Sequence, residues 1–67
     1  MLKNSLADNF QWIERNAEAL SVHWGEDSRL WECSIIFRGE RFSGFKGTVE
    51  EAVNFAVVAC KSGIPDA

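Results

Sequence analysis

Residues 30–38 alternate along the chain with a period of two, and this stretch constrains the fold more than any other. One face of the alternation is wholly apolar, whereas the other mixes polar and apolar side chains. Such a pattern predicts a β-strand with one buried face. The apolar face consists of Trp31, Cys33, Ile35 and Phe37. The strand therefore needs a second layer that covers those four side chains.

A hairpin follows this strand. Gly39-Glu40 predicts a two-residue loop with glycine in the first position, as a type II′ turn requires, and a third strand from Arg41. The predicted pairs are Arg38 with Arg41, Phe37 with Phe42, and Ile35 with Gly44. Because paired residues share a face, Phe42 joins the apolar face, and Ile36 and Phe45 lie on the opposite one.

The segment before these strands changes period from helical to extended. Residues 5–20 place apolar side chains at alternating four- and three-residue spacing, which predicts an amphipathic helix with Ser5 as its N-cap. Trp12 lies off the apolar stripe. After Leu20 the period becomes two, with Val22 and Trp24 on one face, before a turn at residues 25–28. This predicts a short first strand.

The last segment carries the clearest helix signals. Thr48-Val49-Glu50-Glu51 is a capping box, and Gly63 followed by Ile64 and Pro65 predicts a Schellman-type stop. The apolar stripe between them consists of Val49, Ala52, Val53, Ala56, Val57 and Cys60. Gly44 on the third strand would let this helix approach closely.

These elements predict a single α+β domain over residues 1–67, in the order α-β-β-β-α. Three antiparallel strands with one apolar face, and two helices with one apolar stripe each, bury those surfaces together if both helices lie on the same face of the sheet. We therefore expect two layers.

Composition and motifs exclude several classes of function. With 46% hydrophobic and 25% charged residues the chain is globular, and no apolar run is long enough to span a bilayer, so we expect a cytoplasmic protein without membrane contact. His23 is the only histidine and no spacing selects a partner for it. Cys33 and Cys60 lack metal-ligand spacing and predict buried, reduced thiols. We expect no catalytic residues, no metal and no cofactor.

The order of elements resembles that of the double-stranded RNA-binding domain across almost the whole chain. In that family the second helix opens with a lysine-rich signature that grips phosphates. At the matching positions this chain has Glu50 and Glu51. The resemblance implies the fold, but carboxylates repel a polyanion, and so the RNA-binding function is not carried over.

Residues 31–59 are also similar to the ββα pattern of small accessory proteins encoded by bacteriophages and prophages. The matching pattern is Trp31-x-Cys33-x-Ile35-x-Phe37-x-Gly39, then Phe42-x-Gly44, then Thr48-x-x-Glu51-Ala52-Val53. This resemblance implies a non-enzymatic protein, such as an inhibitor, that binds a host or viral component. It transfers no functional residue.

Three functions stay open from the sequence. The first is a binding module that docks a protein partner, or a second copy in a homodimer, through the outer sheet face. Its contact residues are predicted to be Leu30, Ile36, Arg38, Arg41 and Phe45, the apolar members forming one patch. The second is a nucleic-acid contact by the basic hairpin. Residues 29–46 carry four basic and two acidic side chains, although the acidic flanks and a sequence pI near 4.9 argue against generic nucleic-acid binding. The third is an acidic mimic of nucleic acid.

Overall fold

The computed structural model describes residues 5–63 and shows two helices and a three-stranded antiparallel sheet. In chain order the elements are α1 (Leu6–Asn16), β1 (Ala19–Gly25), β2 (Leu30–Phe37), β3 (Glu40–Lys46) and α2 (Val49–Ser62). The strands lie in the order β1-β2-β3. One buried cluster joins residues of α1, of α2 and of one sheet face, so both helices cover the same face. The predicted fold class and element order are confirmed.

Helix α2 has the predicted start, stripe and end. The Thr48 hydroxyl accepts a hydrogen bond from the backbone N–H of Glu51 at 3.2 Å, which caps the first turn. Gly63 adopts the left-handed conformation, with φ of 74°, and its N–H donates to the carbonyls of Ala59 and Cys60. The stripe residues from Ala52 to Cys60 are buried. Ile64 and Pro65 of the predicted stop lie outside the described residues.

Helix α1 begins as predicted but ends four residues early. Ser5 caps it by accepting a hydrogen bond from the Asp8 N–H at 3.1 Å. The helix ends at Asn16, and the Glu18 N–H already donates to the carbonyl of Ile36 in the sheet. Leu20 fits the helical spacing and the strand alternation equally well in sequence. Leu20 belongs to β1 because it pairs with β2, where it lies opposite Ile35.

The turn between β2 and β3 lies one residue earlier than predicted, which shifts the pairing register by two residues. Its central residues are Arg38 and Gly39, with φ of 54° and 79°, whereas the sequence predicted Gly39-Glu40 in a type II′ turn. Positive φ at both positions is the type I′ geometry, whose twist matches that of the flanking strands. The observed pairs are Phe37 with Glu40, Ile35 with Phe42, and Cys33 with Gly44. A shift of two keeps every residue on its predicted face.

All seven residues of β1 pair with β2, and a longer connection joins the two strands. Ala19 lies opposite Ile36 and Gly25 opposite Leu30, so residues 26–29 form the loop. Within it Arg29 has φ of 60°, and its N–H donates to the Gly25 carbonyl at 2.8 Å. The register places Leu20, Val22 and Trp24 on the helix-covered face of the sheet.

The core lies between α2 and the paired strands β2 and β3, where Gly44 sets the spacing. A Cβ atom at Gly44 would lie 2.5 Å from the Ala52 carbonyl oxygen and 3.2 Å from the Ala56 backbone nitrogen. The helix backbone therefore rests directly on the strand, as the sequence predicted. Around this contact the buried side chains include Cys33, Ile35, Phe42, Val53 and Val57.

A polar contact joins the two helices inside this layer. Asn9 is only 1% exposed, and its side-chain amide donates to the Asn54 side-chain oxygen at 3.2 Å. Within residues 5–63 the Asn9 side-chain oxygen accepts no hydrogen bond. The sequence analysis placed only apolar side chains on this face of α1 and did not include Asn9. A buried amide on an apolar stripe favours one alignment of the helices, because other alignments leave both its donor and its acceptor unpaired.

We expect Gly44→Ala to destabilise the fold by about 1–3 kcal/mol, because the added methyl group forces α2 off the sheet. Gly47→Ala is the matched control, since a Cβ there meets nothing within 4 Å. It should change the free energy of unfolding by less than about 0.5 kcal/mol. Urea unfolding followed by circular dichroism measures both. Equal losses at the two glycines would contradict the close approach of α2.

Candidate interaction surface

The sheet face opposite the helices is open to solvent and forms the candidate site. Its register defines three transverse rows, and we call this surface the outer face. The rows are His23, Glu32 and Phe45; then Ser21, Ser34 and Ser43; then Ala19, Ile36 and Arg41, with Leu30 beyond the first row. The hydrogen-bonded strands hold these side chains on a rigid platform.

The middle of the outer face is polar. Ser34 and Ser43 are buried, and their hydroxyl oxygens lie 3.4 Å apart. Arg41 lies across the row and donates from Nη2 to the Ser34 Oγ at 3.4 Å, while Ser34 donates to the Glu32 carboxylate at 3.4 Å. These contacts are long for hydrogen bonds and therefore weak. Small side chains here leave a shallow polar strip across the sheet.

His23 and Glu32 form a cross-strand pair beside this strip. The His23 Nε2 lies 2.7 Å from a Glu32 carboxylate oxygen. His23 is exposed on the edge strand. The contact is a pairing on the sheet surface, and the same Glu32 carboxylate also accepts from the Ser34 hydroxyl.

The predicted apolar patch is divided by the observed register. Phe45 is 47% exposed and lies opposite Glu32, with Leu30 near it on β2. Ile36 lies opposite Arg41, four residues further along β2, which is about 13 Å. The serine row separates the two ends. Leu30, Ile36, Arg41 and Phe45 thus share the outer face, but their apolar members do not form one continuous patch.

The basic residues of the hairpin point in different directions. The Arg38 guanidinium lies 5.1 Å from the centre of the Phe37 ring, which belongs to the helix-covered face. The Lys46 ammonium lies 4.7 Å from the ring of Phe55 on α2. Only Arg41 lies on the outer face. The structure does not bring Arg38 together with the other predicted contact residues.

Two exposed features escaped the sequence analysis. Leu20 and Trp24 point to the helix-covered face, yet they are 39% and 43% exposed. Their apolar alternation was visible in the sequence, but it does not show which strand a helix covers. The second feature is a stack of three side chains. The ring centres of Trp12 and Phe37 lie 5.2 Å apart, and the Lys61 ammonium lies 5.6 Å from the centre of the Trp12 ring. Trp12 is thus half-buried against the sheet, although it lies off the apolar stripe.

A cleft of about 420 Å³ opens beside this stack. It lies between the β2–β3 turn and the C-terminal end of α2, with an aromatic floor and a charged rim. Its lining residues are Phe37, Arg38, Glu40, Phe42, Cys60, Lys61, Ser62 and Gly63. The cleft faces away from the outer face and is a separate feature.

The two thiols are buried and free, as predicted. Burial raises the pKa of Cys33 from 9.0 to about 11, and the neighbouring Cys60 adds to this rise. Burial also raises the pKa of Cys60 to about 11, against a smaller opposing effect of a backbone hydrogen bond. Both groups are protonated thiols at neutral pH and therefore poor nucleophiles.

Among residues 5–63 no three histidine, cysteine or acidic side chains are grouped so that they could hold a metal ion. Neither described helix combines the length and apolar character needed to cross a membrane. A scan of protein-family models, a search of curated proteins and a search of solved structures found no match to this chain.

We expect the free energy of unfolding to fall as the pH rises from 9 towards 11. The thiols of the unfolded chain ionise from about pH 9, whereas those of the folded chain stay protonated until about pH 11. Their stabilising contribution is complete below pH 9 and is lost above it. Urea unfolding under reducing conditions at both pH values measures this fall.

Cys60→Ala is the control for this effect, because it removes one of the two titrations and leaves every other group in place. The fall in stability with pH should become smaller in that variant. A thiol reagent at pH 8 should label neither cysteine of the folded protein and both in urea. Rapid labelling of the intact fold would contradict the burial of the thiols.

Proposed function

We propose that this protein is a non-catalytic binding module that docks a protein partner through the outer face of its sheet. The observation that carries the proposal is Phe45, a half-exposed aromatic side chain on the face of β3 that neither described helix covers. Aromatic and arginine side chains are enriched among the residues that dominate protein–protein binding. Phe45 and Arg41 supply one of each.

The divided face suits a partner with two contact points. Phe45 and Leu30 offer apolar surface at one end, and Ile36 with Arg41 offers a mixed contact at the other. Ser34 and Ser43 between them are buried, so the two ends of the face supply the contacts. A partner that spans about 13 Å along the strands reaches both ends. In this proposal Arg38 contributes at most from the turn, since it lies over Phe37.

A cytoplasmic location belongs to the same proposal. Both cysteines are free, and thiols persist mainly in reducing compartments. A role as a phage accessory or inhibitor protein would also place the chain there. That role rests on the sequence resemblance alone.

A nucleic-acid contact has less geometric support. The three basic residues of the hairpin would have to act together, but Arg38 and Lys46 are stacked on aromatic rings away from Arg41. Phosphate binding draws its affinity from several cations on one surface. The outer face also carries Glu32 beside its histidine.

Phe45→Ser should abolish capture of the partner while leaving the fold intact. Phe55→Ser is the matched control, because Phe55 is the same residue type, has the same exposure of 47% and lies on α2 away from the outer face. Affinity capture from the native cell, followed by mass spectrometry, compares wild type with both variants. The proposal expects one protein that is retained by wild type and Phe55→Ser and lost with Phe45→Ser.

Circular dichroism melts of the three proteins accompany this capture. If Phe45→Ser unfolds the chain, then Phe45 is a core residue. If all three proteins retain the same partner, the outer face is not the docking surface.

Double-stranded RNA should not bind at physiological salt, despite the α-β-β-β-α order. Glu50 and Glu51 occupy the exposed first turn of α2, where the RNA-binding family uses cations. A gel-shift titration with an unrelated duplex tests this. Tight binding that ignores the duplex sequence would overturn the prediction.

A further inference from the structure

Strand β1 forms one edge of the sheet. It pairs with β2 along seven residues, and within residues 5–63 no strand lies on its other side. Alternate N–H and C=O groups of an edge strand point outwards and form a ready template for another strand. The free edge of β1 is therefore a place where main-chain hydrogen bonds can form with a second chain.

Proteins commonly protect such edges with charges, proline or bulges, and β1 has none of these. The segment Ala19–Gly25 contains no lysine, arginine, aspartate, glutamate or proline, and its pairing with β2 runs without interruption. Strand β3, at the other edge, carries Glu40, Arg41 and Lys46 and lies under α2. The two edges thus differ, and only β1 is unprotected.

An apolar stripe runs along the same unprotected edge. Leu20 and Trp24 are 39% and 43% exposed on the helix-covered face, and Val22 between them is half-buried. The Trp24 ring lies 5.5 Å from that of Trp31, which holds it in place on the strand. A chain that pairs with β1 would cover this stripe as well as the backbone edge.

We infer that β1 pairs antiparallel with β1 of a second copy, around a two-fold axis at Val22, to form a six-stranded sheet. In this register Trp24 lies opposite Leu20 of the copy, so an aromatic ring meets an aliphatic side chain twice across the seam. His23 lies opposite Ser21 of the copy. The seven-residue ladder brings no like charges together, and the helices of both copies lie on the same side.

The ends of this register add no close charge contact. Glu18 and Glu26 flank β1 and are exposed, but the Glu18 carboxylate accepts a hydrogen bond from the Gly39 N–H at 3.2 Å and so reaches towards the β2–β3 turn, away from the free edge of β1.

The test is sedimentation equilibrium of the whole chain from micromolar to millimolar concentration in 0.15 M salt, a value near physiological ionic strength. Wild type should dimerise. Leu20→Lys puts a charge on the apolar seam and should raise the dissociation constant by about tenfold or more. Val58→Lys is the matched control, since Val58 is an exposed aliphatic residue on α2, and it should dimerise like wild type. Loss of dimer in both variants, or in neither, would overturn the pairing.

Hydrogen exchange of the wild type adds a measurement that needs no variant: the β1 amides should become better protected as concentration rises. Protection that does not depend on concentration would contradict pairing at this edge.

The outer face and the β1 edge are separable in these experiments. Phe45→Ser should leave the dimer unchanged, because Phe45 lies on β3 at the far side of the sheet. If Phe45→Ser removes the dimer, copies associate through the outer face instead. A wild-type chain that stays monomeric at millimolar concentration would overturn the inference without affecting the proposed docking of another protein.

Discussion

The rest of the structure depends on the direct contact between α2 and β3 at Gly44. With no side chain there, the helix backbone comes within contact distance of the strand, and Ala52 and Ala56 complete the contact. This places α2 over β2 and β3 and leaves β1, on the other side of β2, outside its cover. The stripe from Ala52 to Cys60 then meets Cys33, Ile35 and Phe42 and forms the core.

The same offset explains the uneven burial of the sheet. Ile35 is fully buried, but Leu20, its neighbour on β1 in the same transverse row, is more than a third exposed. Helix α1 packs on α2 through Asn9 and on the β2 end of the sheet through Trp12, and leaves much of β1 uncovered. The two short helices of this domain cannot cover three strands evenly, and the side chains of the edge strand β1 are therefore less buried than those of β2.

Local signals in the sequence predicted the elements well, because caps and periodicity act within a few residues. The Thr48 cap, the Gly63 end and the apolar face of β2 and β3 are confirmed. The predictions that were wrong concern features that contacts between distant residues determine. The end of α1 was set by pairing at Ile36, and the β2–β3 register by a turn in which Arg38 takes positive φ. The register error joined Ile36 to Phe45 by placing Phe45 opposite Ser34, whereas the strands pair it with Glu32.

The two surfaces proposed for this protein reinforce each other physically. One three-stranded outer face is a small platform with its apolar ends about 13 Å apart. Pairing through β1 would make two such faces coplanar, because strands in one sheet share their faces, and would turn one docking surface into two at a fixed separation. A partner with two copies of its own contact site would then bind with an effective concentration set by that separation, without any new contact on either chain. The incomplete covering of β1 would thus permit a dimer whose two outer faces bind such a partner more tightly than one face does.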